Sequence, residues 1–203
     1  MTTPRDLFIV SLDVASGSPV EQGDLSLALA GAEVIDLLGA GALTLDGDHL
    51  VPGDHWTQDD PLLDAAAGAL VRETARETVE DWLWRRGLGL YSAYLAVMEA
   101  DGQVRRERGR RLAARAARTS AADSPARRRA ADRWSSGDPV LTLLAAAVGI
   151  GRPDGEGGEL PDVTDDTIAT VLAAVNDAVQ ELDGVRRRRA IEQAAFDNIW
   201  RGQ

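Results

Sequence analysis

The sequence predicts a mainly α-helical protein, a single globular domain over residues 1–203 with about eight to nine helices and one or two short β-hairpins. Apolar residues recur at intervals of three and four in most segments, which is the pattern of amphipathic helices. An Asp-Gly pair separates two short apolar runs, which indicates a hairpin. No segment repeats with a period of about 20 to 50 residues, which argues against a solenoid. Because 44% of the 203 residues are hydrophobic, one apolar core suffices for the fold.

The first elements are an apolar segment, a helix and a hairpin. Leu7–Leu12 is an apolar run that fits either a buried strand or a short helix, and the sequence leaves this open. The periodicity that begins at Asp24 predicts a helix that ends at Gly39 or Gly41. The short apolar runs on either side of Asp46-Gly47-Asp48 predict two paired strands.

Three helices follow the hairpin. Pro61, preceded by two Asp residues, is typical of a first helical turn. A second helix is predicted from Thr78 to Gly87. A third is predicted over Leu88–Ala100, where Asp101-Gly102 ends it. The apolar face predicted for this third helix consists of Leu88, Tyr91, Leu95 and Met98.

The second half begins with an Arg/Ala-rich segment, residues 104–134, which predicts helix content with poor burial and a break at Ser124-Pro125. An apolar helix is predicted from Pro139 to Ala147. Gly, Pro and acidic residues then predict a solvated, flexible loop over residues 149–162. Thr164–Leu182 has a helical core face, and a last helix is predicted after Gly184.

Charge is distributed unevenly along the chain. The net charge is −11, and all 22 basic residues are Arg. Eleven of them lie between Arg105 and Arg133 against three acidic residues, so this stretch has a charge of +8 and the remainder −19. Such asymmetry favours a surface that meets an anionic partner. The alternative is a solvated, mobile Arg/Ala segment.

Composition disfavours an enzyme. Without cysteine the chain has no disulfide, thiolate metal site or cysteine nucleophile, and without lysine it has no Walker-type phosphate loop. His49 and His55 lie in an Asp-rich stretch, but turn and cap residues account for most of it. We therefore expect no cofactor and no metal. Without a signal peptide or an apolar run of about 20 residues, we expect a cytoplasmic protein that is at most peripheral on the inner membrane face.

Trp84-Arg85-Arg86 is a candidate anion site. Trp82 and Trp84 are two residues apart on a predicted helix, so they face different sides and one of them should be less buried. An indole beside two guanidinium groups suits a lipid headgroup or another anion. The alternative is an ordinary half-buried Trp with solvated Arg.

The order of elements resembles the Golgi phosphoprotein 3 family, including its bacterial and especially actinobacterial members. The stretches that carry the resemblance are short, mostly apolar and spread over most of the chain. They are Leu7–Leu12 with Asp13 and Gly17, Leu29–Leu38 with Gly41–Leu45, Pro61–Asp64, Thr78–Trp82, Glu99–Val104 and Pro139–Ala147.

This resemblance implies a mostly helical domain without enzymatic activity. In the eukaryotic relatives it also implies a basic pocket that binds phosphatidylinositol 4-phosphate and holds an adaptor on a membrane. The pocket residues of the family fall at Ala30, near Glu21, and near Leu88 and Tyr91, so the basic and indole side chains are replaced here. The candidate headgroup site is therefore Trp84, Arg85 and Arg86, where the two Arg substitute for the lost pair, with Tyr91, Arg108 and Arg111.

The resemblance also implies an apolar hairpin after Gly102 that contacts the membrane. Here Leu112 is the one large aliphatic residue between Arg105 and Arg133, so this segment can add only electrostatic attraction, about 1 kcal/mol per Arg near an anionic leaflet. The leading hypothesis is a peripheral membrane or adaptor protein whose partners are anionic, phosphoinositide-type headgroups and further proteins. The alternative is a helical nucleic-acid-associated or regulatory protein that contacts phosphates through Arg105–Arg133, against which the acidic remainder stands.

Overall fold

The computed structural model describes residues 2–13, 20–53, 60–70, 77–107, 118–151 and 161–201. In these residues the chain forms eight helices and two antiparallel two-stranded sheets, which confirms the prediction of a mainly α-helical fold with short hairpins. The elements in chain order are α1 (Thr3–Asp13), α2 (Gln22–Gly39), β1 (Leu43–Asp46), β2 (His49–Pro52), α3 (Pro61–Ala69), α4 (Val79–Gly87), α5 (Leu90–Ala100), β3 (Val104–Glu107), β4 (Arg118–Ala121), α6 (Pro125–Ser135), α7 (Pro139–Ala147) and α8 (Asp166–Arg201).

Helix α2 is the centre of the domain. It contacts α1, α4, α5 and α8, and an unbroken run of its residues from Leu25 to Ile35 is buried. A helix that is apolar all round is stable only when neighbours cover every side, and that is its situation here. Val175 of α8 packs directly over Gly31, where a Cβ atom would overlap the valine side chain. The core is thus organised around one helix that carries few charges.

The apolar run Leu7–Leu12 is a helix and not a strand. It lies within α1, which contacts α2, α6 and α7, and Leu7, Phe8, Ile9 and Val10 are almost completely buried. A continuous apolar run does not distinguish a buried strand from a buried helix, so only tertiary contacts decide between them.

The predicted helix starts are confirmed by their capping hydrogen bonds. Asp60 Oδ1 accepts from the Leu62 N–H at 2.9 Å, and Asp138 Oδ1 accepts from the Leu141 N–H at 2.9 Å. The Thr78 hydroxyl likewise accepts a backbone N–H at the start of α4. The β1–β2 hairpin is also as predicted, since Gly47 has a φ of 65° in its turn and Asp46 pairs with His49.

Three predictions about individual elements are wrong. Leu88 is not on the apolar face of α5 because that helix begins at Leu90; Gly89 has a φ of 73° and Leu88 is 84% exposed in the turn before it. The last two predicted helices are one, since α8 continues through Gly184. A single helical Gly costs only about 1 kcal/mol relative to Ala, which the packing of the preceding turns offsets.

The Arg/Ala-rich segment is the third difference. Two stretches of it, β3 at its start and β4 near its middle, pair as strands, with Val104 opposite Ala121. Burial in α6 is better than predicted, because Ala126, Ala130 and Trp134 recur every four residues and face the core. Arg108 and Arg111 lie outside the described residues, as do residues 152–160 of the predicted loop.

Within the described part of the chain, no helix is both long enough and apolar enough to span a membrane.

A candidate ligand cleft at the N-termini of two helices

An open cleft of about 330 Å³ lies where α2, α5 and α8 meet the turn between α4 and α5. None of the residues that line it is charged. They are Gln22, Gly23, Ser26 and Leu27 of α2, Trp84, Gly87, Leu88 and Gly89 around the turn, Tyr91 and Ser92 of α5, and Leu182 of α8.

The two neighbouring tryptophans of α4 divide between the core and the cleft. Trp82 is completely buried, and its Nε1–H donates to the Ala30 carbonyl at 3.3 Å. Trp84 is half-buried and lines the cleft. This confirms the prediction that two tryptophans at this spacing face different sides of the helix.

Ser26 fixes the geometry of the cleft floor. Its hydroxyl donates to the Gln22 carbonyl at 2.8 Å and accepts the Tyr91 backbone N–H at 3.1 Å. The Tyr91 ring lies 5.3 Å from the ring of Phe8, between ring centroids, so an aromatic contact with the core holds it from below. One hydroxyl therefore ties the first turn of α5 to the first turn of α2.

The cleft is the meeting point of two helix N-termini. The side chain of Glu21, at the N-cap of α2, makes no capping hydrogen bond, and the N-cap of α5 is Gly89, which has no side chain. First-turn N–H groups and the helix dipole make such ends electropositive. The lining of the cleft is therefore uncharged and the backbone field of both helix ends is positive, while Glu21 and Asp24 add two carboxylates to the end of α2.

Arg186 of α8 lies at the edge of this cleft. Its Nη1 donates to both carboxylate oxygens of Asp24, at 2.7 and 2.9 Å. A Cβ atom on Gly23 would approach Arg186 Nη2 to 2.7 Å, so this guanidinium lies beside the first turn of α2. Burial raises the pKa of Asp24, and Arg186 opposes that shift.

Arg85 is engaged within the chain. Its Nε and Nη2 donate to the two carboxylate oxygens of Glu77 at 2.6 and 2.7 Å, and Nη2 also donates to the Ala69 carbonyl at 3.2 Å. The guanidinium lies over the Trp82 ring, 5.1 Å from its centroid. Hydrogen bonds from Arg85 to Glu77 raise the pKa of Arg85.

The ion pair of Arg86 is more deeply buried than that of Arg85. It donates to both oxygens of Glu33 at 2.8 and 2.9 Å and to the Leu62 carbonyl at 3.2 Å. Glu33 is completely buried and also accepts the Tyr94 hydroxyl at 3.1 Å. Burial and the neighbouring Glu33 raise the pKa of Tyr94 well above its ordinary value, so its hydroxyl stays a donor.

The structure brings two of the predicted site residues together, because Trp84 and Tyr91 both line the cleft. Arg85 and Arg86 follow Trp84 in the same helix but belong to internal ion pairs. Sequence reasoning missed Ser26, which is a single serine in an apolar helix and carries no motif. The turn between α4 and α5 was also missed, where Gly89 has a positive φ. The Gly-Leu-Gly sequence around Leu88 was the signal that could have predicted this turn.

Several described arginines of the Arg/Ala-rich segment form ion pairs with different carboxylates. Arg127 pairs with Asp13 at 2.7 Å, and Arg133 pairs with Asp6 and Asp138 at 3.1 and 2.9 Å. Among the described arginines of this segment, Arg127, Arg128 and Arg133 are therefore each paired with a carboxylate.

The Asp/His-rich stretch forms no metal site in the described residues, where no group of three or more His, Cys, Asp or Glu side chains is placed to hold an ion. His49 Nδ1 lies 2.7 Å from a carboxylate oxygen of Asp48. His55 lies outside the described residues.

Comparison with known proteins agrees with this fold. No curated protein matches the chain. The family model described as Golgi phosphoprotein 3 (GPP34) matches residues 4–182, which is most of the chain and includes every residue that lines the cleft. This protein therefore belongs to the Golgi phosphoprotein 3 family.

Proposed function

We propose that this protein is a non-enzymatic peripheral membrane adaptor that holds a phosphate-bearing lipid headgroup in the cleft. One observation carries the proposal: two of the four positions assigned to the family pocket by resemblance line one cleft. Leu88 and Tyr91 line it, and Glu21 directly precedes Gln22, which lines it as well. Ala30, the fourth position, is completely buried.

The attraction for phosphate comes from the backbone. The first turns of α2 and α5 bring the positive ends of two helix dipoles to one cleft, and helix N-termini are common binding sites for phosphate. The Tyr91 N–H is already held by Ser26, so a phosphate would meet the other N–H groups of these turns. Ser92 adds a neutral hydroxyl group among the residues that line the cleft. Because Arg85 and Arg86 are held by Glu77 and Glu33, they support the fold in this proposal and the headgroup contact does not depend on them.

The attraction for the membrane comes from the rim. Leu88 is 84% exposed at the tip of the turn between α4 and α5, next to a half-buried indole at Trp84. Burial of a leucine side chain in an apolar phase is worth about 2 kcal/mol, and tryptophan favours the boundary between acyl chains and headgroups. A headgroup in the cleft would place Leu88 at the level where acyl chains begin.

Vesicle co-sedimentation tests this proposal. The vesicles contain phosphatidylcholine alone, phosphatidylcholine with phosphatidylserine, or phosphatidylcholine with a phosphatidylinositol phosphate. Ser92→Asp adds a carboxylate at the cleft but suits the first turn of α5, so the fold should be retained while headgroup binding falls about tenfold or more. Ala65→Asp, on an exposed position of α3, adds the same charge elsewhere and should bind as the unchanged protein does. Equal binding by all three proteins to every vesicle would refute the cleft as the headgroup site.

A second variant tests whether Leu88 inserts into the membrane. Leu88→Gln removes the exposed apolar side chain without adding charge, and it should weaken binding to phosphoinositide vesicles but leave binding of a water-soluble inositol phosphate unchanged. If a water-soluble inositol phosphate does not bind the unchanged protein at all, the phosphate part of the proposal is wrong.

The alternative of phosphate contacts to nucleic acid through Arg105–Arg133 has less support. Arg127, Arg128 and Arg133 are each paired with a carboxylate, and pairing reduces the charge available to displace counterions from a polyanion.

A further inference from the structure

The two halves of helix α8 differ in how far they are buried. Up to Leu182 it belongs to the domain, and Val171, Val175 and Val179 are buried against the core. The family match also ends at Leu182, whereas the helix continues to Arg201. The C-terminal extension, residues 183–201, rises about 28 Å at the usual 1.5 Å per residue. Every residue from 187 to 194 is exposed, so this part of α8 stands outside the packed domain.

The extension is basic on an otherwise acidic protein. Four consecutive arginines, Arg186–Arg189, begin it, and the net charge of the whole chain is −11. Arg186 is paired with Asp24, and Arg187 with Asp183. Arg188 and Arg189 are exposed, and no described carboxylate forms an ion pair with either of them. Two guanidinium groups are therefore available to an anion.

The extension also carries exposed apolar side chains, which are rare on the rest of the described surface. The exposed large hydrophobic residues of the described chain are Leu88, Ile191 and Phe196, and the last two belong to the extension, with 69% and 58% exposure. The sequence continues with Ile199-Trp200. Helices that lie in a membrane interface combine arginines with bulky apolar side chains such as Phe and Trp.

We propose that the C-terminal extension is a second membrane contact, which binds an anionic lipid surface through Arg188 and Arg189 and buries Ile191 and Phe196 at the headgroup boundary. The inference deepens the proposed function and rests on it, since it adds a lipid class and a second contact to the same membrane-facing side. Leu182 lines the cleft and Arg186 lies at its edge, so the extension leaves the domain beside the headgroup site.

Charge favours a lipid surface over a second copy of the chain as the occupant. Two extensions packed side by side in parallel would bring their Arg188 and Arg189 groups together, and two bodies of charge −11 would repel each other. An anionic leaflet instead attracts the arginines and repels the acidic body. This combination orients the molecule, with the extension toward the lipid and the acidic body away from it.

The test uses the full chain on vesicles of phosphatidylcholine with and without phosphatidylserine, at low and at high salt. Arg188→Ala with Arg189→Ala keeps good helix formers in place, and it should weaken binding to phosphatidylserine vesicles about tenfold or more at low salt, with little effect at high salt. The matched control, Arg127→Ala with Arg128→Ala, removes two arginines from α6, one partly buried and one exposed, and should bind as the unchanged protein does.

The experiments distinguish failure of the headgroup cleft from failure of the C-terminal extension. If the Arg188/Arg189 variant binds normally while Ser92→Asp loses binding, the extension is not a membrane contact and the headgroup cleft stands. If the Arg188/Arg189 variant loses salt-sensitive binding while Ser92→Asp has no effect, the extension holds and the cleft fails. A third outcome also overturns the proposal: Ile191→Ala with Phe196→Ala leaves lipid binding unchanged but converts a dimer to a monomer in sedimentation velocity, which would assign the extension to self-association.

Discussion

Arg86 and Glu33 form a two-point ion pair between α4 and α2 in the centre of the domain. Both carboxylate oxygens accept from the guanidinium, at 2.8 and 2.9 Å, and Glu33 is completely buried. The Tyr94 hydroxyl and the Leu62 carbonyl complete the hydrogen bonds, so each charge has polar partners within reach. A buried pair of this kind contributes little net stability when intact but is costly to break.

Glu33→Gln should therefore destabilise the protein strongly. It leaves the Arg86 guanidinium partly buried without its counter-charge, and loss of one member of a buried pair costs about 3 kcal/mol or more. Denaturant titration followed by circular dichroism measures this loss. Glu80→Gln, at an exposed position of α4, the helix that carries Arg86, should change stability by less than about 0.5 kcal/mol. A Glu33→Gln variant as stable as Glu80→Gln would show that the pair is not formed in solution.

The neighbouring arginines Arg85 and Arg86 should differ in their contribution to stability. Arg85→Ala removes an ion pair in which the guanidinium is 44% exposed and the Glu77 side chain 10%, so we expect a loss of about 1 kcal/mol, between that of a surface pair and that of a fully buried one. Arg86→Ala leaves the buried Glu33 unpaired and should cost several times more. The same denaturant titration on both variants checks this order. Equal losses, or a larger loss for Arg85→Ala, would contradict it.

The order of helices was predictable from local chemistry. Asp60, Thr78 and Asp138 are capping residues whose positions in the sequence already mark helix starts, and the cap hydrogen bonds form as expected. Continuous apolar stretches were not predictable in the same way, since α1 is a helix only because its surroundings bury it on all sides. The continuity of α8 through Gly184 is likewise decided by packing that precedes the glycine.

The candidate site was predictable only in part. Trp84 and Tyr91 were found because large amphipathic residues stand out in a sequence, and both line the cleft. The partners of Arg85 and Arg86 were not, because Glu33 lies 53 residues away from Arg86 and no local pattern links them. The electropositive ends of α2 and α5 are a backbone property, which side-chain motifs do not reveal.

Gly31→Ala should destabilise the contact between α2 and α8. A methyl group at this position would overlap Cγ2 of Val175, and overpacking of this kind costs about 1–3 kcal/mol despite the higher helix propensity of alanine. Gly68→Ala in α3 is the control: a Cβ there meets nothing within 4 Å, so the variant should be as stable as the unchanged protein or more so, by up to about 1 kcal/mol. Adding Val175→Ala should recover part of the loss at Gly31, and a strictly additive double variant would exclude this contact as the cause.

Stability should fall as the pH rises from about 4 toward neutrality, because several carboxyl groups hold a proton more tightly in the folded protein. Burial raises the pKa of Asp36, and the hydrogen bond from the Thr3 N–H, at 2.7 Å, only partly offsets this. When the folded pKa exceeds the unfolded one, the folded state binds more protons between the two values, so stability is highest below the unfolded pKa and is lost as the pH rises through the window up to the folded pKa. Each unit of separation corresponds to about 1.4 kcal/mol.

Asp36→Asn isolates this contribution, since the amide oxygen can still accept from the Thr3 N–H but does not titrate in this range. The free energy of unfolding, measured by denaturant titration at a series of pH values from about 4 to 7, should depend less steeply on pH in the variant than in the unchanged protein. Asp64→Asn removes one carboxylate from the exposed surface of α3 and should leave the slope as it was, which separates the effect of burial from that of net charge. If the two variants flatten the pH dependence equally, the raised pKa of Asp36 is not its source, and the general self-repulsion of a chain with net charge −11 accounts for the slope instead.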